Sequence, residues 1–191
     1  MAIDPTRKGF AFAVFETPDF LVDWGMKNAP PKSGDLRRKV DALLSRYQPS
    51  LLVVEDLAAR GCRRRKRAKR EIRSIEHLAA TRGVPIERVP RLAVQNTFAP
   101  GRSKYEVAVN LAEIFPVLAP RLPRRRKAYT TEDARMNIFD ALGFTVVAMG
   151  GPFVPATARI TVHPSVCVVP LRRPGGAAST GFRRRRHEAS C

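Results

Sequence analysis

The sequence predicts an α/β domain in which helices flank a mixed five-stranded sheet. Three short apolar segments near the start follow one another through turn residues, which predicts an antiparallel meander. Two further apolar segments are separated by helical patterns, which predicts parallel fourth and fifth strands. At 191 residues and 44% hydrophobic content, the chain is long enough for one ordinary domain and an appendage.

The strands are predicted from apolar runs bounded by turn signals. Pro5 and a turn through Gly9 end the first run, and Thr17 to Asp19 separates the second from the third. The fourth run is apolar on both faces, as expected of a central strand covered on both sides. The predicted strands are residues 2–4, 10–15, 20–26, 51–55 and 84–89.

Four helices are predicted from apolar residues at helical spacing. Asp35 is placed as the N-cap of the first, and Pro49 ends it. Ser103 and Glu106 have the spacing of a capping box at the start of the third. The predicted helices are residues 35–47, a helix that follows the basic segment 60–73 and ends at Gly83, residues 103–115 and residues 131–149.

Changes of composition along the chain predict three parts. Residues 1–149 form the folded domain, with a Pro/Arg linker at 116–127. Residues 150–173 are expected to form a small irregular or hairpin extension. Residues 174–191 are rich in Gly, Ser and Arg and predict a disordered basic tail.

The charge balance predicts a polyanionic partner. The chain has 35 Lys and Arg against 17 Asp and Glu, a formal net charge of +18. Nucleic acid is the commonest partner of such a chain. No apolar stretch is long enough to span a membrane, no secretory signal is evident, and the three cysteines fit neither a disulfide framework nor a zinc site. We therefore expect an intracellular, cytoplasmic, nucleic-acid-associated protein that does not bind membranes.

Three carboxylates occur within apolar segments. Asp4 and Glu55 end the first and fourth strands, and Asp140 lies in an almost wholly apolar helix. Because burying an ionised carboxylate without a partner costs several kcal/mol or more, these acids need a neutralising cation. The cation could be an arginine of the adjacent run or a divalent metal ion.

The spacing of these acids favours a shared site. If the first and fourth strands are parallel neighbours, Asp4 and Glu55 emerge at the same edge of the sheet. Asn137 and Asp140, at i,i+3 on the last helix, are expected about 5–6 Å apart on one face. Asp133 is predicted one turn earlier on the same face. The alternative for Asp133 is to cap the start of the helix. Such oxygen ligands suit Mg²⁺ or Mn²⁺, and two ions together could hydrolyse a phosphodiester.

Four motifs in chain order resemble the RuvC-type Holliday junction resolvases of the ribonuclease H-like superfamily. They are Ile3-Asp4-Pro5 followed by Gly9, Val53-Val54-Glu55, Arg82-Gly83-Val84-Pro85-Ile86, and Asn137-x-x-Asp140-Ala141-Leu142. The resemblance covers residues 1–149. It implies a ribonuclease H-like sheet, a nuclease activity on branched DNA and a homodimer.

The resemblance also implies roles for individual residues. Asp4, Glu55 and Asp140 would be catalytic metal ligands. Asn137 stands where the family carries a further aspartate, so either Asn137 coordinates, or Asp133 replaces it, or activity is reduced. Lys104 stands where the family carries a basic residue that faces DNA.

A basic run follows the fourth strand and is expected to contact phosphates of the nucleic-acid backbone. It consists of Arg63, Arg64, Arg65, Lys66 and Arg67. The leading hypothesis is thus a Mg²⁺-dependent endonuclease of branched or four-way-junction DNA, expected to use two ions. The alternatives are a nucleic-acid-binding protein with weak or no catalysis, and an RNA-processing nuclease of the same fold.

Overall fold

The computed structural model describes residues 1–30, 34–127, 129 and 131–150. Within these residues, three strands come first, and two strands and five α-helices follow, with a 3₁₀ helix at Pro116–Arg121. The strands are β1 (Ala2–Pro5), β2 (Gly9–Thr17), β3 (Phe20–Asn28), β4 (Leu52–Glu55) and β5 (Ile86–Val89). The helices are α1 (Asp35–Tyr47), α2 (Lys66–Thr81), α3 (Arg91–Phe98), α4 (Lys104–Ile114) and α5 (Met136–Ala148). The predicted extension beyond Gly150 and the predicted tail at 174–191 lie outside the described residues.

The strands form one mixed sheet in the order β3-β2-β1-β4-β5. The β1–β2 and β2–β3 pairs are antiparallel, whereas β1–β4 and β4–β5 are parallel. This confirms the predicted meander followed by two parallel strands. It also places β1 between β2 and β4, so that the ends of β1 and β4 are neighbours.

Alternating residues of the sheet face two separate cores. On one face, Ala2 and Val53 pack with α3, α4 and α5. On the other face, Ile3 and Val54 pack with α1 and α2. Because side chains alternate along a strand, Asp4, which follows Ile3, and Glu55, which follows Val54, lie on the α5 face.

Helix α5 lies against β1 and β2 and is buried around most of its circumference, because residues 136–146 are almost all apolar. Gly143 is required for its close approach to α3. A Cβ atom at Gly143 would lie 2.5 Å from Cγ1 of Val94. The glycine therefore lets the two helices pack close together and brings the start of α3 toward Asp140.

Two helix boundaries and one additional helix differ from the predictions. The last helix begins at Met136, not near residue 131, because Asp133 caps a turn there: its Oδ1 accepts a hydrogen bond from the amide of Arg135. Asp133 is therefore not on the helical stripe of Asn137. Helix α3 was not predicted; its two buried residues, Val94 and Phe98, have helical i,i+4 spacing, but eight residues give a short pattern. Helix α2 begins at Lys66, which leaves the preceding arginines in a loop.

Within the part of the chain that the structure describes, no helix is both long and apolar enough to cross a membrane.

Candidate active site

The three acids singled out from the sequence converge at one end of the sheet. Asp4 and Glu55 are near the carboxyl ends of the neighbouring parallel strands β1 and β4, on the face covered by α5. Asp140 comes from the second turn of α5. Their exposed fractions are 0%, 3% and 7%, so all three are buried.

Arg64 joins two of these acids. Its Nη2 donates a hydrogen bond to Oδ1 of Asp4, and its Nε donates to Oε2 of Glu55 at 2.5 Å. A third donor, Nη1, reaches the carbonyl oxygen of Pro5 at 3.1 Å. The sequence left open whether an arginine or a metal ion neutralises the acids. In the structure an arginine, Arg64, lies between Asp4 and Glu55.

Arg91 joins the second pair of acids. Its Nη2 donates to Oε2 of Glu55 at 3.1 Å, and its Nη1 forms an ion pair with Oδ2 of Asp140 at 2.9 Å. The guanidinium carbon lies 5.7 Å from the centre of the Phe144 ring, a cation–π contact that holds it against α5.

Lys104 completes the network at the start of α4. Its Nζ is 2.7 Å from Oδ2 of Asp140 and 2.7 Å from Oε1 of Glu132. Acids and cations therefore alternate through the site. The order is Asp4, Arg64, Glu55, Arg91, Asp140, Lys104 and Glu132.

Burial and neighbouring charges shift the two aspartates in opposite directions. Complete burial raises the pKa of Asp4 to about 7; the Arg64 charge opposes this rise, and the charges of Asp140 and Glu55 add to it. Burial would also raise the pKa of Asp140, but Lys104 and Arg91 outweigh it and hold that pKa below its usual value. Of the two aspartates, Asp4 is thus the one whose charge is less compensated.

The donor set fits a divalent metal ion by its chemistry. Carboxylate oxygens are the ligands that Mg²⁺ prefers, and the second oxygen of Asp4, Oδ2, is buried without a hydrogen-bond partner among the described residues. As placed, however, cations lie between the acids. Among the described residues, no three acidic, histidine or cysteine side chains form a group that could hold a metal ion. For all three acids to hold one ion, Arg64 and Arg91 would have to move from between them.

Among the described residues, the hydrogen bonds and ion pairs of the Asn137 and Asp133 side chains go to groups other than the three acids. The Asn137 amide Nδ2 donates to the carbonyl oxygen of Ala134 at 2.9 Å, within its own turn of chain. Asp133 is held by Arg135 through contacts of 3.1 and 2.6 Å. Asn137 lines the cleft next to the acids, whereas Asp133 does not, so Asn137 is the better placed of the two.

The basic run divides into two kinds of residue. Arg63, Arg65 and Lys66 are exposed, and half-buried Arg67 pairs with Glu71 at 2.8 Å. Arg64 has a side-chain exposure of only 16% and turns into the acid cluster. The run therefore presents most of its charge outward while one member neutralises the acids.

A cleft of about 540 Å³ opens onto this network. Glu55, Arg64, Arg91, Lys104 and Asn137 all line it. The sequence did not predict Arg91 as a site residue, because an arginine after a proline carries no chemical signature. Only its position at the start of α3, one helix turn from a buried valine, could have suggested an inward location.

Comparison with solved structures identifies the fold. No protein-family model matches the sequence, and no curated protein matches it. RuvC of Thermus thermophilus aligns with a TM-score of 0.52 and 18% identity, covering 75% of this chain and 89% of RuvC. RuvC of the same organism in complex with a Holliday junction substrate aligns with a TM-score of 0.54 and 18% identity, covering 77% and 92%.

The mixed five-stranded sheet flanked by helices is thus a ribonuclease H-like fold, as predicted. Within that class, the chain has the RuvC-like fold that its four motifs resemble. At 18% identity the likeness concerns the fold, and the activity has to be argued from the site.

Proposed function

We propose that this protein is a divalent-metal-dependent endonuclease that hydrolyses phosphodiesters of branched DNA, with four-way junctions as the leading substrate. The observation that carries the proposal is the convergence of three buried carboxylates beside an open cleft that Glu55 lines, in a chain of net charge +18. A RuvC-like fold supports it, since one of the aligned RuvC structures is bound to a Holliday junction.

In this proposal Asp4, Glu55 and Asp140 hold Mg²⁺ or Mn²⁺, and the carboxamide oxygen of Asn137 is the available fourth ligand. The ion would supply Lewis-acid polarisation of the scissile phosphodiester and of the attacking water. Two ions are expected, and calorimetric titration with Mn²⁺ counts them.

Arg91 and Lys104 have a role that does not depend on the number of ions. Both line the cleft while contacting Asp140, with 36% and 31% of their side chains exposed. Their exposed charge can bind the non-bridging oxygens of a phosphate, which orients the phosphodiester beside the acids.

Arg63 lines the same cleft, and Arg65, Lys66 and half-buried Arg67 follow it in the basic run. They are proposed to bind the phosphate backbone without reading sequence. A homodimer is proposed because a four-way junction with two-fold symmetry is cut twice. Sedimentation equilibrium tests the dimer independently of cleavage.

The decisive experiment compares cleavage with binding in carboxylate variants. Asp4→Asn and Glu55→Gln should abolish Mg²⁺-dependent cutting of a labelled four-way junction while junction binding persists. Asp41→Asn is the matched control, because Asp41 pairs with Arg82 away from the cleft. Undiminished cutting by either site variant would falsify the assignment of the metal ligands.

A second candidate, nucleic-acid binding with weak or no catalysis, is favoured by one observation. Each of the three acids already contacts a cation, and Asn137 is neutral where a further acid would strengthen metal binding. Cleavage assays with Mg²⁺ and Mn²⁺ on four-way junctions, flaps and RNA–DNA hybrids separate the candidates. Cutting of hybrids alone would instead favour an RNA-directed nuclease.

A further inference from the structure

A second cavity, of about 360 Å³, lies beside the cleft and is here called the arginine cavity. It is formed between the first turn of α4 and the segment that follows the 3₁₀ helix. Its charged lining consists of Lys104, Arg124, Arg125, Arg126, Glu132 and Asp133. None of the three arginines belongs to the basic run that follows β4.

The arginine cavity and the cleft share a wall. Lys104 and Glu132 line both, and their ion pair of 2.7 Å separates the two spaces. Lys104 also contacts Asp140 on the cleft side. A group bound in the arginine cavity would therefore lie one side chain away from the proposed catalytic acids.

The charge of the arginine cavity suits an anion. Its lining has four cations against two carboxylates. Both carboxylates form ion pairs, Glu132 with Lys104 and Asp133 with Arg135. Arg124, Arg125 and Arg126 are exposed, so they can meet a ligand without first being uncovered. A guanidinium group can donate two parallel hydrogen bonds to the oxygens of one phosphate. A phosphodiester is therefore a fitting ligand.

The arginine segment is anchored at its base. Pro123 and Leu118 are buried, and the guanidinium carbon of Arg121 lies 5.7 Å from the Trp24 ring. Arg125 lines the arginine cavity together with Ser103, Lys104 and Tyr105, so it lies near the first turn of α4.

We propose that the arginine cavity is a second phosphodiester-binding site, which holds a backbone phosphate of the nucleic acid adjacent to the one in the cleft. The site would position the strand across the Lys104–Glu132 wall. This inference rests on nucleic acid as the partner in the proposed function, but it does not depend on cleavage.

The test measures binding of a fluorescein-labelled four-way DNA junction by anisotropy in Ca²⁺, across a series of salt concentrations. In the double variant Arg124→Gln/Arg125→Gln, we expect about tenfold weaker binding and a salt dependence whose slope falls by about 1–2. Glu132→Gln should act in the opposite direction and tighten binding about threefold, because it removes a negative charge from the wall of the site.

The matched control is Arg37→Gln/Arg46→Gln, which removes two exposed arginines from α1 on the other face of the sheet. It should weaken binding less than threefold and leave the salt slope unchanged. Thermal melting verifies that all variants fold.

An effect of the Arg124/Arg125 variant equal to that of the control would overturn the inference, as would weaker binding by Glu132→Gln. Either result, with tight binding by the wild-type protein, leaves the proposed function intact. Absence of junction binding by the wild-type protein would refute both.

Discussion

Replacing Arg64 with methionine removes a side chain that donates to both Asp4 and Glu55. Asp4 then loses its hydrogen-bonded cation, while Glu55 keeps Arg91. Breaking one side of a buried ion pair costs about 3–5 kcal/mol, because a charge is left uncompensated. Protonation of Asp4, whose pKa is already raised to about 7, limits that cost.

We therefore expect Arg64→Met to lower the free energy of unfolding by about 2–3 kcal/mol at pH 7.5 without divalent metal. For a chain of this size, that is a fall in melting temperature of about 4–12 °C. Arg63→Met is the matched control, since Arg63 is exposed in the same run and its loss should change stability by less than about 0.5 kcal/mol.

The response to metal gives the sharper result. In the wild-type protein an ion held by Asp4 and Glu55 would displace Arg64, whereas in Arg64→Met that guanidinium is gone and Arg91 stays on Glu55 and Asp140. Mg²⁺ at a hundred times its dissociation constant would stabilise the variant by about 2.7 kcal/mol. Urea denaturation with and without Mg²⁺ measures both effects. Equal stabilisation of variant and wild type by Mg²⁺, or a stability of Arg64→Met equal to that of Arg63→Met, would refute this reasoning.

Three other predictions concern Asn137, Gly9 and Tyr47. Asn137→Asp should raise Mn²⁺ affinity at least tenfold, as measured by calorimetry, because a carboxylate replaces a neutral amide at the cleft; unchanged affinity would remove residue 137 from the ligand set. Gly9→Ala should lower the free energy of unfolding by more than about 2 kcal/mol in urea, because its Cβ would lie 1.9 Å from the carbonyl oxygen of Lys27. Burial, with the nearby Asp23 carboxylate, raises the pKa of Tyr47 to about 12. The stability that Tyr47 contributes should therefore decline as pH rises from about 10 to 12, and Asp23→Asn should lower its pKa in an ultraviolet titration.

The fold was largely predictable because its signals are local. Turn residues and apolar runs located all five strands, and the capping box at Ser103 located α4, which begins at the next residue. A predicted helix boundary was wrong where a polar side chain hydrogen-bonds the backbone in place of the helix. Asp133 is the clear case, since its contact with the Arg135 amide delays α5 until Met136.

The candidate site was predictable for a different reason. Asp4, Glu55 and Asp140 stand out because a charged residue within an apolar segment is costly, whatever the tertiary structure. Their cations do not stand out, because arginine is abundant in this chain and tolerated on any surface. Nothing in the local sequence distinguishes Arg64 from Arg63, although one is largely buried among the acids and the other is exposed.

The sequence by itself determined that three acids within apolar segments needed a neutralising cation. It predicted a shared sheet edge for Asp4 and Glu55 only on the condition that the first and fourth strands are parallel neighbours. Only the tertiary structure decided how the acids are neutralised. The register of β1 against β4 brings Asp4 and Glu55 within reach of one guanidinium group, and the close packing of α3 on α5 at Gly143 brings Arg91 to Asp140. These distances depend on how elements far apart in the chain pack together, and no local pattern encodes them.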